Sequence, residues 1–463
     1  MTDHPQPRDA LGILPFLNDG RLWRIFLFGA LSGFPWLLVG SAMKLWLKDE
    51  GLSRTSIGVF GLLFSVWTFN FLWAPIIDHA RLPFLHRLGQ RRSWISLCLA
   101  VLVACSALLA VLGPHVSIAA TVALCFVIAL ASATQDLAID AYRITVIGED
   151  EPELIGHGAA MATCGWWTGV SLPGAVAFQF SDAHGWPPIY LALAALLAVV
   201  SLLALRWFRE PPRGGDAGPT RAAQLGAGNW FNRTYVSAVS EFFQRNGARL
   251  AFGLLAFIFL FKIGEAFLGR MVVVFYNEVG FSDAEIGTYA KALGLPVTII
   301  CALAAGLFSG RFGVVRGLLI AGIAMAATNL LFAWVAVVGP DVGALSVAVI
   351  ADGVTSAFST VAFVAFISYY TSRLHTATQY GALASLGNAG RNLVAAASGF
   401  LVDALDGDWA AFFVLTSVMV LPSLAILIWI ARGAASPQAG GEVTAGPGAP
   451  PSGNPPPPAH RSG

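Results

Sequence analysis

The sequence predicts an all-α membrane protein with about twelve transmembrane helices in two six-helix halves, and three observations predict it. The 463 residues are 56% hydrophobic and only 11% charged, with mean hydropathy +0.71, whereas soluble domains carry about 25% charged residues. Apolar runs of about 20 residues, the length a helix needs to cross the hydrocarbon, recur along the chain between turn residues. The two groups of runs also repeat one another. Gly51-Leu52-Ser53 with Ile57-Gly58 beyond the first run matches Gly280-Phe281-Ser282 with Ile286-Gly287 beyond the seventh. Gly158-Ala159-Ala160 opens the fifth run much as Gly381-Ala382-Leu383 opens the eleventh.

Taken in order, residues 1–20 are polar, with Pro5, Pro7 and Pro15, and form a predicted cytoplasmic segment. No small-residue cleavage site follows the first run, so the first span is expected to be its own anchor. Runs near 22–46, 56–78, 91–112, 116–147, 156–180 and 187–208 make a first half over 21–208. Residues 209–248 form a linker that opens on Pro211, Pro212, Gly214 and Gly215. Its second part places Trp230, Phe231, Tyr235, Val239, Phe242 and Phe243 at helical spacing among charges, as a helix lying on the membrane surface does. Runs near 249–277, 284–309, 314–338, 343–371, 378–402 and 409–432 make a second half over 249–432. The fourth and tenth are long for one crossing and should project beyond the hydrocarbon. The tail, 433–463, is rich in Gly and Pro and cannot bury a core, so disorder is expected.

Arginines concentrate after even-numbered spans: Arg81, Arg87, Arg91 and Arg92, then Arg206 to Arg249 around the linker, then Arg311, Arg316 and Arg373. Odd-numbered exits hold mainly Lys48 and Arg54 against Asp49 and Glu50, and Asp403, Asp406 and Asp408. Both termini are therefore predicted to be cytoplasmic. Net charge is +1 and no basic stripe with interleaved aromatics occurs, which argues against a nucleic-acid partner. Cys98, Cys105, Cys125, Cys164 and Cys301 all sit in apolar runs without metal-ligand spacing, so they read as packing residues. No metal or cofactor is predicted. His157 is the one histidine near intramembrane charge and has no catalytic partner in sequence, so an enzyme is not expected.

Chemistry is carried by the few charges inside the runs. In Ser132 to Arg143 a helix advances about 100° per residue, so Asp136, Asp140 and Arg143 share one face. Such groups cost roughly 3 kcal/mol each against lipid, so they must face water or other helices. Asp136 is the deepest acid and the predicted proton carrier, with Glu265 and Asp352 as further candidates. Lys262 and Glu265, three apart, are either a functional pair or a self-satisfied clamp. Asp140 and Arg143 are either a gate clamp or a cargo contact. Lys44 either snorkels to the surface or lines the path. Arg391, flanked by Gly387, Asn388, Gly390 and Asn392, suits a cargo carboxylate. Trp166 and Trp167 either stack on a ring of the cargo or simply fill space. Gln135 and Asn388 complete the predicted cargo contacts; Lys291 and Arg270 are further charges in the second half.

Asp78 followed by Gly89-Gln90-Arg91-Arg92 resembles the loop motif of major-facilitator proteins, which implies a clamp by Asp78, Arg91 and Arg92 at the cytoplasmic side. In that fold spans one, four, seven and ten line the central cavity, the spans that hold Lys44, Asp136, Lys262, Glu265 and Asp352. From Arg21 to Arg432 the chain resembles the AmpG family of muropeptide permeases. The resemblance rests on Ser32-Gly33-Phe34-Pro35, Phe71-Leu72-Trp73-Ala74-Pro75, Gln135-Asp136 with Asp140-Ala141, Lys262 to Phe267, Lys291 to Gly294, Phe363-Val364-Ala365, Ala377-Thr378-Gln379 and Gly390-Arg391. It implies proton-driven import of anhydromuropeptides across a bacterial inner membrane for cell-wall recycling, by a monomer. A related permease for another bulky cargo, such as a siderophore, is the alternative. The chain departs from the family pattern at three places. Trp166-Trp167 stands where a Tyr-Arg pair is usual, Thr145 where an acid is, and Lys44 where a Gln is.

Overall fold

The computed structural model describes residues 18–52, 60–80, 82, 85, 88–147, 151–208, 235–281, 294–395 and 397–435. The N-terminal segment, most of the linker, the tail, Lys291, Arg81, Arg87 and the repeat residues Ser53, Ile57, Gly58, Ser282, Ile286 and Gly287 lie outside these. The first half contains α1 (Gly20–Asp49), an interrupted α2 (Gly61–Ser65, Val66–Phe69, Asn70–Leu72 and Ala74–His79), α3 (Gln90–Leu112), α4 (Ile118–Val146), α5 (Pro152–His184) and α6 (Trp186–Trp207). A short linker helix, Ser237–Asn246, follows. The second half contains α7 (Ala248–Leu260 and Ile263–Val279), α8 (Gly294–Phe312), α9 (Val314–Val338) and α10 (Val342–Tyr370). It ends with α11 (Thr376–Ala389, Gly390–Val394 and Ser398–Ala404) and α12 (Trp409–Val418 and Leu421–Ala435).

Eight of these are long and apolar enough to cross a bilayer, among the described residues. The others are α2, α5, α8 and α11, which are interrupted, more polar or described only in part. Four of the starts are set by side chains that satisfy orphan amides. Asp19 accepts from Arg21 N, Ser117 from Ala120 N, Asp341 from Ala344 N and Asp408 from Ala411 N. Helices α4 and α10 each run 29 residues, roughly 43 Å at 1.5 Å per residue. That exceeds a hydrocarbon core of about 30 Å, as the long fourth and tenth runs predict. Pro35 withdraws a donor from α1, and the helix widens to π winding over Leu37–Ala42.

The halves share one packing plan. Peripheral pairs α3–α6 and α9–α12 correspond, and the two halves meet through α5–α8, α2–α11, α4–α11 and α5–α10. Within the first half α1 and α5 touch backbone to backbone. A Cβ on Gly29 would lie 2.5 Å from Ala162 O and one on Gly33 2.2 Å from Trp166 O. From the other side, Gly165 faces Phe26 O at 2.1 Å and Gly169 faces Ala30 O at 2.0 Å. Both helices thus present a Gly-xxx-Gly stripe, and close approach replaces the hydrophobic drive that lipid cannot supply. The repeat counterpart is Gly390 of α11, whose Cβ would lie 2.1 Å from Phe259 O of α7. Large apolar side chains such as Val111, Leu202, Val337 and Phe400 point outward, exposed where acyl chains would cover them.

Candidate functional site

The polar residues of the interior form two walls and one closure. The first wall is built on α4. Asp136 accepts from Ser32 Oγ of α1 at 2.6 Å and from Trp67 Nε1 of α2 at 2.9 Å. Around it the ring of Trp36 lies 4.8 Å from Phe64, 4.8 Å from Trp67 and 5.7 Å from Trp166, which meets Trp167 edge-on at 5.2 Å. Trp166 and the half-exposed Trp167 therefore extend an aromatic wall beside the acid. Lys44 places its ammonium 5.6 Å over the Phe64 ring. Gln135, next to Asp136, is fully buried, and neither amide atom finds a partner among the described residues. Thr145 bonds the carbonyl of Ala141 in its own helix.

The second wall is charged. Lys262 lies at the break between the two pieces of α7, where the turn carries its stem inward, and it is 2% exposed. Its ammonium donates to Glu265, to Ser359 Oγ at 2.7 Å and to Thr360 Oγ1 at 3.2 Å. Ser356 Oγ donates to the other carboxylate oxygen of Glu265 at 2.9 Å. Glu265, Arg270, Asp352, Ser356 and Arg391 line a pocket of about 320 Å³. Arg391 belongs to the π-wound turn Gly390–Val394 of α11. Gly390 lets α11 close on α7 while the extra residue of the π turn re-aims the guanidinium into that pocket. Asn388 is half-buried in the same helix. Glu265, Asp352 and Arg391 thus share one pocket, and Lys262 joins it through its bond to Glu265.

The closure sits at the arginine-rich end, where the halves meet. Asp78 of α2 accepts from the Ala377 and Thr378 amides at 3.1 and 2.8 Å and from Thr378 Oγ1 at 2.7 Å, a carboxylate on the N-terminus of α11. Arg91 reaches Thr376 Oγ1 at 3.5 Å. Arg143, 1% exposed, pairs with Asp140 at 3.1 Å, donates to Ser368 Oγ of α10 at 2.9 Å and lies 5.3 Å from the Tyr380 ring of α11. Arg92 is different: it donates to Leu205 O at 2.8 Å and lies over Phe208, so it ties α3 to the end of α6 inside the first half. Ser385 donates to Asn70 Oδ1 at 2.9 Å across the same seam. Gly156 and His157 of α5 pack on Ser309 and Gly310 of α8.

Sequence reasoning missed Ser32, Trp36, Phe64, Trp67, Ser356, Ser359, Asn70 and Tyr380. A signal existed for some of them. Ser32 and Trp36 are four apart on one face of α1, and Ser356, Ser359 and Thr360 share a face of α10. For Asn70 and Tyr380 the partner lies across the two halves, and no local spacing reports it.

Comparison with known proteins places this geometry. The family model of the Major Facilitator Superfamily matches residues 25–290. The chain is 30% identical over 406 residues to the anhydromuropeptide permease of Escherichia coli strain K12, covering 87% of this chain and 78% of that protein. It is 29% identical over 420 residues to the putative transporter AmpG 4 of Rickettsia felis, covering 90% and 98%. Among solved structures it resembles the transporter FucP in the outward conformation (TM-score 0.66, 15% identity, 92% of this chain and 100% of that one). It also resembles the human organic anion transporter MFSD10 (TM-score 0.63, 20% identity, 91% and 100%). At these identities the two structures speak for the fold alone.

Proposed function

Because the chain belongs to the major facilitator superfamily, among the AmpG-type permeases, we propose that it imports anhydromuropeptides across the bacterial cytoplasmic membrane, driven by protons. The observation that carries this reading is the unlike chemistry of the two walls. An anhydromuropeptide joins sugar rings to a peptide with several carboxylates. Trp36, Trp166 and Trp167 offer faces on which a sugar ring stacks. Arg391, beside Lys262, offers charge-assisted bonds to a carboxylate. Protons have a place in each half: Asp136 between two donors on the aromatic side, and Asp352 with Glu265 on the charged side. Asp78, Arg91, Asp140 and Arg143 act as the closure that separates when cargo leaves. With both termini cytoplasmic, that closure faces the cytoplasm and the walls await cargo from outside. The relatives' names favour this cargo over a siderophore.

Uptake by purified protein in proteoliposomes tests the proposal. A labelled disaccharide-tripeptide with the 1,6-anhydro ring should accumulate under an inward proton gradient, and a protonophore should abolish accumulation. Equilibration that ignores the gradient would remove proton coupling, and no uptake at all would remove the cargo.

A further inference from the structure

At the closed end lies a second pocket, of about 390 Å³, that the transport reading does not use. Three arginines from three different parts of the molecule line it: Arg143 of α4, Arg245 of the linker helix and Arg373 of the α10–α11 connection. Ser368, Thr371 and Ser372 add hydroxyls, and among the described residues no carboxylate lines it. Two of the arginines hold acids of their own helices at one edge. Asp140 holds one edge of Arg143, and Glu241 holds Nε of Arg245 at 3.2 Å. Arg245 spends Nη2 on Tyr370 O at 2.6 Å, and its Nη1 donates to no acceptor among the described residues. Asp140 spans both Nε and Nη2 of Arg143, and Ser368 takes one N–H of Nη1. A guanidinium has five N–H donors; Asp140 takes two of those on Arg143, Ser368 one and the Tyr380 hydroxyl another, which leaves one.

We propose that this pocket is an oxyanion site for a phosphate-type dianion, and that the bound anion staples the closed end. Forked guanidiniums converging from several directions match the oxygens of a phosphate group better than a single carboxylate. The volume admits a phosphate ester of a small molecule as well as inorganic phosphate. The consequence for conformation follows from where the three cations are anchored. Arg143 moves with the first half, Arg373 with the second, and Arg245 with the helix between them. Parting the halves at this end dismantles the site, so the anion binds the closed arrangement more tightly and shifts the population toward it. By reciprocity, whatever opens this end weakens anion binding by the same factor. None of this depends on which cargo the walls carry.

The test uses the full chain in phosphatidylethanolamine nanodiscs, with inorganic phosphate as probe and chloride at equal ionic strength as control. Phosphate should raise the melting temperature saturably, and chloride should not. Arg245→Gln and Arg373→Gln should each move the phosphate midpoint upward about tenfold or more, with the Lys variants intermediate. A single structural loss would instead lower the melting temperature equally with and without phosphate, and that result overturns the site. So does a phosphate effect no larger than that of chloride. Adding phosphatidylglycerol identifies the source of the anion. If it raises stability by itself and competes with phosphate, the site takes a lipid headgroup; if the phosphate midpoint is unmoved, it takes an aqueous anion. Spin labels at Trp207→Cys on α6 and Phe312→Cys on α8, in a Cys301→Ser background, read the staple. Phosphate should narrow the distance distribution to its shorter component. Binding that leaves the distribution unchanged overturns the conformational part.

Discussion

Asp136 illustrates how much a single side chain can be asked to do. Both carboxylate oxygens accept, one from Ser32 and one from Trp67. The Ser32 hydroxyl can reverse its role, but the indole N–H cannot. Asp136→Asn can therefore be accommodated with its amide toward Ser32, and the protein should stay folded. The variant should still exchange cargo between the two sides yet fail to accumulate it under a proton gradient. Wild-type accumulation would move coupling to Asp352 and Glu265. Arg391 makes the complementary case. A charge-assisted bond is worth roughly 1.5–3 kcal/mol, so Arg391→Gln should weaken binding of an acidic cargo about ten- to more than a hundredfold in a competition assay. Arg391→Lys should recover part, because the fork is lost while the charge is kept. If both bind cargo like the wild type, Arg391 does not touch it. At this scale the charged residues were legible, since a charge in an apolar run is conspicuous. Their partners were not: Ser32 lies 104 residues from Asp136 and Ser359 lies 97 from Lys262, and spacing on one helix says nothing about another.

The elements were legible in number and length and illegible in their interruptions. Runs near 22–46 and 378–402 read as unbroken helices, because hydropathy does not sense backbone winding. In the folded chain α1 widens after Pro35 and α11 widens at Gly390, and the second of these places Arg391. The glycine stripes of α1 and α5 were equally silent, since glycine adds little to an apolar run either way. Their effect is large. In Gly165→Leu the new Cβ would fall 2.1 Å from Phe26 O, which is backbone and cannot step aside. Overpacking of this kind costs about 1–3 kcal/mol or more. Thermal unfolding in detergent should begin several degrees lower for Gly165→Leu than for Gly399→Leu, where nothing lies within 4 Å. Equal melting temperatures would mean that α1 and α5 are not held by this approach.

For the molecule as a whole, the two halves repeat in packing and differ in chemistry. The first lines its side with indoles around one acid, and the second with an ion network. Between them the seam at the arginine-rich end depends on few groups, of which Asp78 supports two amides and a hydroxyl of α11. Asp78→Ala leaves those donors without their carboxylate and removes a favourable charge from a helix N-terminus. The seam should then part more often. Ser385→Cys, 4% exposed behind the seam, should react with a membrane-impermeant maleimide severalfold faster when Asp78 is replaced. An unchanged rate would assign the closure to Arg143 and its partners. The twofold plan was visible in two short repeated motifs, whereas the seam was not, because it joins residues some 300 positions apart.

The paired glycines of α1 and α5 also bear on how the chain reaches the membrane. Helix α5 is not among the described helices that are long and apolar enough to cross a bilayer. It carries Thr163, Thr168, Ser171 and the glycines Gly165, Gly169 and Gly174 within its middle turns. Helix α1, synthesised more than a hundred residues earlier, is apolar enough to be in the bilayer already and offers a groove of matching shape. Docking onto the first segment can then supply what the fifth lacks in apolarity, a dependence of late on early synthesis written in four residues that have no side chains.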